Sequence, residues 1–96
     1  MSYSLKFLPS ALKEWRNLEP EIKELFKAQL QRRLENHYID AAKIRGYKNH
    51  YKIKLRSVGY RLVYEVDEKE IVVDVICVGR RDTIYKILKR RKSNLT

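Results

Sequence analysis

The sequence has few of the residues that build covalent cross-links and membrane spans. It contains one cysteine, which excludes an intrachain disulfide and any zinc site that needs two or more thiolates. No uncharged run approaches the roughly 18 residues of a membrane-spanning helix, and the N-terminal stretch has no apolar signal core. We therefore expect a soluble, cytoplasmic protein that does not enter a membrane, with its cysteine reduced.

Acidic residues are the second deficit, and they are missing where the basic residues gather. The 96 residues carry 22 Lys and Arg against 12 Asp and Glu, a net charge of +10. Residues 43–61 hold seven cations and no acid, and residues 79–92 hold seven cations and one acid. The two segments sum to +13, and the other 63 residues to −3. This distribution is typical of a phosphate-binding face, although Lys and Arg stems covering apolar residues are the alternative.

Apolar periodicity predicts a single α+β domain over residues 1–96 with the order β-α-α-β-β-β-α. Strand-like alternation covers 3–7, 51–56 and 60–66. The run 71–78 is apolar except for Asp74 and predicts a central strand covered on much of both faces. A short helix follows Pro9, a second helix with an apolar stripe from Ile22 to Leu34 follows Pro20, and a last one carries its buried stripe over 84–88. We expect a helical hairpin, with Leu25 in its buried stripe, packed on a small antiparallel-rich sheet beside a C-terminal helix.

The strand alternation also brings basic side chains together. Lys52, Lys54 and Arg56 share the face opposite the apolar side of their strand, and Arg61 does the same on the next strand. Because a short turn joins the strands, Lys54 and Arg61 should lie about 5 Å apart at Cβ. Arg80 or Arg81, just past the end of the last strand, can reach the same surface. Such a cluster gains from a phosphate ligand, but an exposed sheet face kept soluble by cations is the alternative.

Other chemistries have few residues to carry them. The two histidines, His37 and His50, fall in a polar connection and are expected at the surface. The carboxylates lie mostly on predicted helices and turns, so no carboxylate cage for Mg²⁺ is visible. We expect neither a metal nor an organic cofactor. Cys77 belongs to the apolar strand and is expected in the core.

The stretch YKIKLRSVGYRLVY at 51–64 resembles the RelE toxins of bacterial type II toxin–antitoxin modules. ALKEW at 11–15, KIRG at 43–46 and VGRR at 78–81 also match, so the resemblance covers nearly the whole chain. It implies the RelE-like microbial ribonuclease fold and a ribosome-dependent mRNA interferase, which cuts mRNA in the ribosomal A site and halts translation. The family's catalytic positions match Lys52, Lys54, Arg61, Arg81 and Tyr85.

The resemblance implies a metal-independent reaction in which the RNA 2′-OH attacks the adjacent phosphorus. Arg61 would stabilise the phosphorane charge, Lys54 would take the 2′-OH proton with help from Lys52, and Arg81 would aid the leaving oxygen. Tyr85 would stack on a base. Its spacing from Arg81 is shorter than in the best-known members, but four residues on a helix would still place both on one side. The implied partners are the 70S ribosome, mRNA and a cognate RelB-like antitoxin, through which alone the protein would meet promoter DNA.

Further cations of the two basic segments are predicted to contact RNA or the ribosome: Lys43, Arg45, Lys48, Arg56, Arg80, Lys89 and Arg90. Two other functions stay open. ParE-like toxins share the fold but poison DNA gyrase, and they generally lack the set of catalytic cations. A non-enzymatic nucleic-acid-binding domain would need the same basic face without dependence on individual residues.

Overall fold

The computed structural model describes residues 3–93 and arranges them as a four-stranded sheet with helices on both faces. The elements in chain order are β1 (Ser4–Phe7), α1 (Pro9–Arg16), α2 (Pro20–Glu35), a 3₁₀ turn (Asp40–Ala42), β2 (His50–Leu55), β3 (Tyr60–Asp67), β4 (Val72–Arg80) and α3 (Ile84–Ser93). The predicted α+β class and element order are confirmed.

The sheet has the strand order β1-β4-β3-β2. β2, β3 and β4 form an antiparallel meander, and β1 joins β4 in parallel. Pro9 and Pro20 occupy the first turns of α1 and α2, where a missing N–H leaves no helical hydrogen bond unmade. No helix in the described range has the length and apolar character needed to cross a bilayer.

Two apolar cores lie on opposite faces of the sheet. The first is formed with α1 and α2 and includes Ala11, Phe26 and Leu30. The second lies under α3 and consists of Ile44, Val63, Ile76, Cys77, Ile84 and Leu88. β3 and β4 supply side chains to both, which explains why β4 is apolar from Val72 to Val78 apart from Asp74. Leu25, predicted in the buried stripe of α2, is 44% exposed, because the buried stripe is the narrower set Ile22, Phe26 and Leu30.

A β-bulge in β4 changes which of its side chains share a face. The register with β3 shifts by one residue between Val63 and Tyr64, which leaves Ile76 without a partner across the strand pair. Ile76 and its neighbour Cys77 both join the core under α3. Val78 then belongs to the opposite core, so the alternation beyond the bulge runs in the reverse phase.

The bulge sets the positions of the residues that end β4. Gly79 lies under α3, since a Cβ there would be 3.8 Å from side-chain atoms of Ile84 and Ile87. Arg80 is directed to the other face, where its guanidinium carbon lies 5.5 Å from the ring centroid of Tyr60. Arg80 therefore lies on the face of the sheet opposite to the one that α3 covers.

Side chains close an edge of β4 that no strand covers. β1 pairs with β4 only as far as Val75. Beyond it, Glu14 of α1 accepts the N–H of Val78 at 3.0 Å, and Arg91 of α3 donates to the carbonyl of Ile76 at 2.8 Å. Two further hydrogen bonds of 3.0 and 2.9 Å join Arg91 to Glu14. This ion pair connects α1 with α3 across the strand edge.

Both histidines are buried, so the expectation that they lie at the surface is wrong. His50 is 3% exposed, and its Nδ1 donates to the carbonyl of Lys48 at 2.7 Å. His37 is 8% exposed. Burial lowers the pKa of both rings. The connection 36–50 looks polar in the sequence, but it packs on the sheet and contributes residues to both cores.

Candidate active site

Lys54 of β2 and Arg61 of β3 lie directly opposite each other, as strand alternation predicts. Gly79 of β4 is the next residue across the sheet. Lys54, Arg61 and Gly79 thus form one row across the three strands. Because Gly79 has no side chain, α3 packs over that end of the row, next to Arg61. The sheet therefore presents a lysine and an arginine side by side beside the first turn of α3.

The turn between β2 and β3 brings Arg81 to the same place. The backbone N–H of Arg81 donates to the carbonyl of Gly59 at 2.9 Å, and the N–H of Gly59 donates to the carbonyl of Leu55 at 2.9 Å. Gly59 has a φ of +69°, in the left-handed region that favours glycine. The conformation of this turn thus fixes the backbone from which the Arg81 side chain extends.

These residues line an open basin of about 240 Å³, which we call the first basin. Its lining residues are Lys54, Leu55, Arg56, Gly59, Tyr60, Arg61 and Arg81. All four charged side chains are cations, and none of them forms an ion pair within residues 3–93. The volume lies below the roughly 300–1,000 Å³ of pockets that enclose drug-sized ligands. The first basin suits an anion such as one phosphodiester group.

The neighbouring charges act on Lys54. They lower the pKa of its ammonium group, mainly through Lys52 and then Arg61, with smaller contributions from desolvation and from Arg56. Like charges disfavour the protonated form, so Lys54 loses its proton more readily than an isolated lysine. This is the direction that proton transfer from a substrate hydroxyl requires.

Tyr85, in the first turn of α3, contacts Arg61. Arg61 Nη1 donates to the Tyr85 hydroxyl at 3.2 Å, and the guanidinium carbon lies 5.7 Å from the ring centroid. The expected helical spacing between Arg81 and Tyr85 is wrong, because α3 begins at Ile84 and Arg81 precedes it. Tyr85 is 38% exposed, so part of its surface is free to contact a nucleotide.

Lys52 lies next to Lys54 along β2 and lines a second basin of about 260 Å³ at the outer edge of that strand. The second basin is lined by Arg33, Ile39, Ala41, Ala42, Lys52, Lys54 and Arg56. Arg33 comes from α2 and donates through Nη1 to the carbonyl of Lys52 at 3.2 Å and to the hydroxyl of Tyr64 at 2.9 Å. Sequence analysis missed Arg33, because a single arginine on an amphipathic helix carries no signal of the strand it will meet.

The predicted RNA-contacting residues fall in separate places. Lys43, Arg45 and Lys48 belong to one loop, whose concave surface of about 530 Å³ is lined by residues 43–48. Ile44 of this loop packs in the core under α3, so the loop lies on the same face of the sheet as Lys54 and Arg61. Arg56 lines both basins.

Of the four basic residues at the end of α3, 89–92, two are exposed to solvent and two form ion pairs within the fold. Lys89 and Arg90 are exposed. Arg91 turns inward to Glu14, and Lys92 forms an ion pair with Glu65 at 3.0 Å. Arg80, the remaining predicted contact, does not line either basin. It lies against Tyr60, which borders the first basin.

Cys77 is fully buried, and burial raises its pKa to about 12. A thiol that holds its proton this strongly is not a nucleophile at neutral pH, in agreement with the core position predicted for it. Within residues 3–93, no three His, Cys, Asp or Glu side chains gather into a group that could hold a metal ion.

Comparison with known proteins decides the family. A family model described as the ParE toxin of the type II toxin–antitoxin system parDE matches residues 5–85. The mRNA interferase toxin RelE of Escherichia coli strain K12 is 51% identical over 82 residues, which cover 85% of this chain and 86% of that toxin. This chain belongs to the RelE family of type II toxins. The resemblance that the motifs indicated is confirmed.

Solved RelE structures share the fold. The free form of an E. coli RelE variant with two arginine-to-alanine substitutions matches with a TM-score of 0.90 at 43% identity, covering the whole of both chains. RelE in the intact E. coli RelBE toxin–antitoxin complex matches with a TM-score of 0.81 at 51% identity, over 82% of this chain and 96% of that one. The predicted RelE-like fold is confirmed.

Proposed function

We propose that this protein is the toxin of a type II toxin–antitoxin module, formed by a single domain over residues 1–96, and that it cuts mRNA in the A site of cytoplasmic ribosomes. One observation carries the proposal. Lys54, Arg61 and Arg81 line one basin without a carboxylate, in a chain that is 51% identical to an mRNA interferase over 82 residues. A phosphodiester is the substrate group that this charge arrangement accommodates.

The RNA supplies the nucleophile in the proposed reaction. Its 2′-oxygen bonds to the adjacent phosphorus as the bond from phosphorus to the 5′-oxygen breaks, leaving a 2′,3′-cyclic phosphate and a 5′-hydroxyl. Lys52 and Arg61 lower the pKa of Lys54, and the neutral amine of Lys54 accepts the proton of the 2′-hydroxyl. Arg61 stabilises the phosphorane oxygens through its fork of N–H donors. Arg81 stabilises the 5′-oxygen until that oxygen gains a proton from solvent.

Tyr85 has a supporting role in this proposal. Its contact with Arg61 limits the orientations of the guanidinium, and its exposed ring offers a surface on which an unpaired base can stack. The tyrosine therefore connects the position of the substrate base with that of the main charge-stabilising residue.

The openness of the first basin gives a reason for dependence on the ribosome. Lys54 and Arg81 are exposed, so the protein alone does not enclose its substrate. In-line attack needs the 2′-oxygen, the phosphorus and the 5′-oxygen nearly collinear, and correct orientation contributes about 7–11 kcal/mol to such reactions. In the proposed mechanism the ribosome supplies this orientation by holding the codon in the decoding site. The basic loop 43–48 and the exposed Lys89 and Arg90 would contact ribosomal RNA.

A translating extract tests the proposal. The purified protein is added to a defined message with and without ribosomes, and the 5′ ends of the products are mapped. We expect cuts within A-site codons only when ribosomes are present, with cyclic phosphate or 3′-phosphate ends. Equal cutting of free message, or products with a plain 3′-hydroxyl, would contradict the proposal.

Two further experiments address the partner and the remaining alternatives. The complex structure of E. coli RelBE supports a RelB-like antitoxin for this chain, and co-expression with such an antitoxin should abolish cleavage. Since the matching family model is described as a ParE toxin, DNA supercoiling by gyrase should also be measured, and we expect no inhibition. A simple nucleic-acid-binding domain would bind RNA without cutting it in the extract.

A further inference from the structure

The two basins meet at the outer edge of β2. Lys54 and Arg56 line both of them, so the depressions are contiguous around these two side chains. The first basin adds Arg61 and Arg81 on one side, and the second adds Arg33 and Lys52 on the other. The proposed reaction uses one phosphodiester in the first basin and leaves the second basin without an assigned role.

Arg33 is held firmly while part of its guanidinium stays free. Its Nη1 donates to the Lys52 carbonyl and to the Tyr64 hydroxyl, and that hydroxyl donates to the His37 carbonyl at 2.8 Å. The guanidinium carbon also lies 5.6 Å from the centroid of the Tyr64 ring. Arginine has five N–H donors. In the described part of the chain the other two nitrogens of Arg33 make no hydrogen bond, and the side chain lines the second basin.

The second basin has an uncompensated positive charge. Its four charged lining residues, Arg33, Lys52, Lys54 and Arg56, are all cations. None of them is ion-paired among residues 3–93. Asp40 begins the 3₁₀ turn whose two alanines line the basin, but Asp40 itself does not line it. Cations gathered without acids repel one another, and a phosphate group relieves that repulsion through charge-assisted hydrogen bonds.

We propose that the second basin binds a phosphodiester of the same RNA strand, next to the one that is cleaved, and that Arg33 is its main ligand. The identity of the strand rests on the proposed function. The geometry adds that the strand passes around the outer edge of β2, from Arg81 and Arg61 across Lys54 to Arg33. A dinucleotide has one phosphodiester, which the proposal places in the first basin beside Arg61 and Arg81, whereas a longer strand can fill both basins.

The test compares two lengths of non-cleavable RNA. A 2′-O-methyl dinucleotide and a 2′-O-methyl tetranucleotide are titrated into the wild type, Arg33→Gln and Arg32→Gln. Glutamine at 33 keeps a donor for Tyr64 but removes the charge. Arg32 is the matched control, because it is an exposed neighbour on α2 that lines neither basin.

We expect Arg33→Gln to weaken tetranucleotide binding about tenfold and to reduce the slope of log K against log salt by about 0.7. Dinucleotide binding should not change, and Arg32→Gln should match the wild type for both lengths. The proposal is overturned by equal tetranucleotide affinities of the wild type and Arg33→Gln, by equal losses at both lengths, or by the absence of binding.

A measurement on the wild type covers the possibility that Arg33→Gln disturbs folding through Tyr64. The Nε–Hε resonance of Arg33 should shift with the tetranucleotide and stay in place with the dinucleotide, and a resonance that responds to neither overturns the proposal. The assay reads binding, so it is separate from the proposed function. If the protein cuts mRNA on ribosomes but its RNA binding does not depend on Arg33, only the proposed second phosphate site is contradicted. If RNA binding depends on Arg33 but no cutting is seen, only the proposed nuclease activity is contradicted.

Discussion

The hydroxyl of Tyr85 accepts a hydrogen bond from Arg61, and the ring of Tyr85 lies against the same guanidinium. The two parts of the contact can be separated. Tyr85→Phe keeps the ring and removes the hydrogen bond, so single-turnover cleavage on ribosome complexes should fall about threefold to tenfold. Tyr85→Ala also removes the stacking surface and should cost clearly more. Equal losses in the two variants would show that the ring has no part in the reaction.

Arg80 and Arg81 are neighbours in sequence and should differ sharply in function. Arg81→Ala removes a cation from the first basin, and we expect its cleavage rate to fall about 10²-fold or more. Arg80→Ala removes a cation that lies against Tyr60 but does not itself line the first basin, so its rate constant should stay near that of the wild type. The same single-turnover assay compares them, and equal losses would contradict the placement that the bulge in β4 produces.

The pH dependence of the cleavage rate should shift when the positive charge of Lys52 is removed. Lys52 is the largest cause of the lowered pKa of Lys54, so Lys52→Ala lets that pKa rise toward its ordinary value. If neutral Lys54 takes the proton, the rate increases with pH through this pKa, and the variant should show the increase at higher pH. Lys43→Ala removes one charge from the loop 43–48 and should leave the profile in place. Unchanged profiles in both variants would exclude Lys54 as the base.

Gly59, in the turn before β3, and Gly46, in the loop before β2, offer a pair of matched glycine substitutions. Gly59 and Gly46 have φ of +69° and +88°, and neither has an atom within 4 Å of an added Cβ. Alanine at either position should therefore cost about 1–2 kcal/mol of unfolding free energy through backbone strain alone. Only Gly59→Ala should also lower the cleavage rate constant, because the Gly59 carbonyl holds the backbone of Arg81. Urea unfolding and single-turnover kinetics separate the two effects.

The ion pair between Glu14 and Arg91 should stabilise the fold. The two side chains are only 25% and 20% exposed, and they also bind the backbone of β4. Arg91→Met leaves the carbonyl of Ile76 unpaired and should cost about 1–3 kcal/mol of unfolding free energy in urea. Lys27→Met breaks an exposed pair with Glu24 and should cost less than about 0.5 kcal/mol. A similar small loss in both variants would place Arg91 among ordinary surface residues.

Local periodicity was sufficient to predict the elements and the central pair of the site. Lys54 and Arg61 oppose each other because alternation along two strands joined by a short turn leaves few other arrangements. The side on which Arg80 lies depends on one unpaired residue, Ile76, and the bulge that contains it leaves no mark on an apolar run. The pattern of charge predicted the basic face but could not identify cations that pair with distant acids.

The features that could not be predicted from the sequence depend on long-range packing. Arg33, Arg91 and Lys92 belong to surface-like helical patterns, and their roles come from residues between 15 and 77 positions away. His37 is buried in a connection that looks polar in the sequence, and His50 is buried as the first residue of β2. Such contacts depend on tertiary geometry, which neither hydrophobic spacing nor turn propensity encodes.

The Glu14–Arg91 pair also bears on how copies of this protein meet. An open strand edge is a template on which another chain can add a strand, and natural proteins protect such edges with charges. Here no strand pairs with the N–H of Val78 or the carbonyl of Ile76 on this edge. Both groups are instead hydrogen-bonded to two side chains of opposite charge. The pair therefore blocks edge-to-edge self-association at β4, and its loss would favour aggregation.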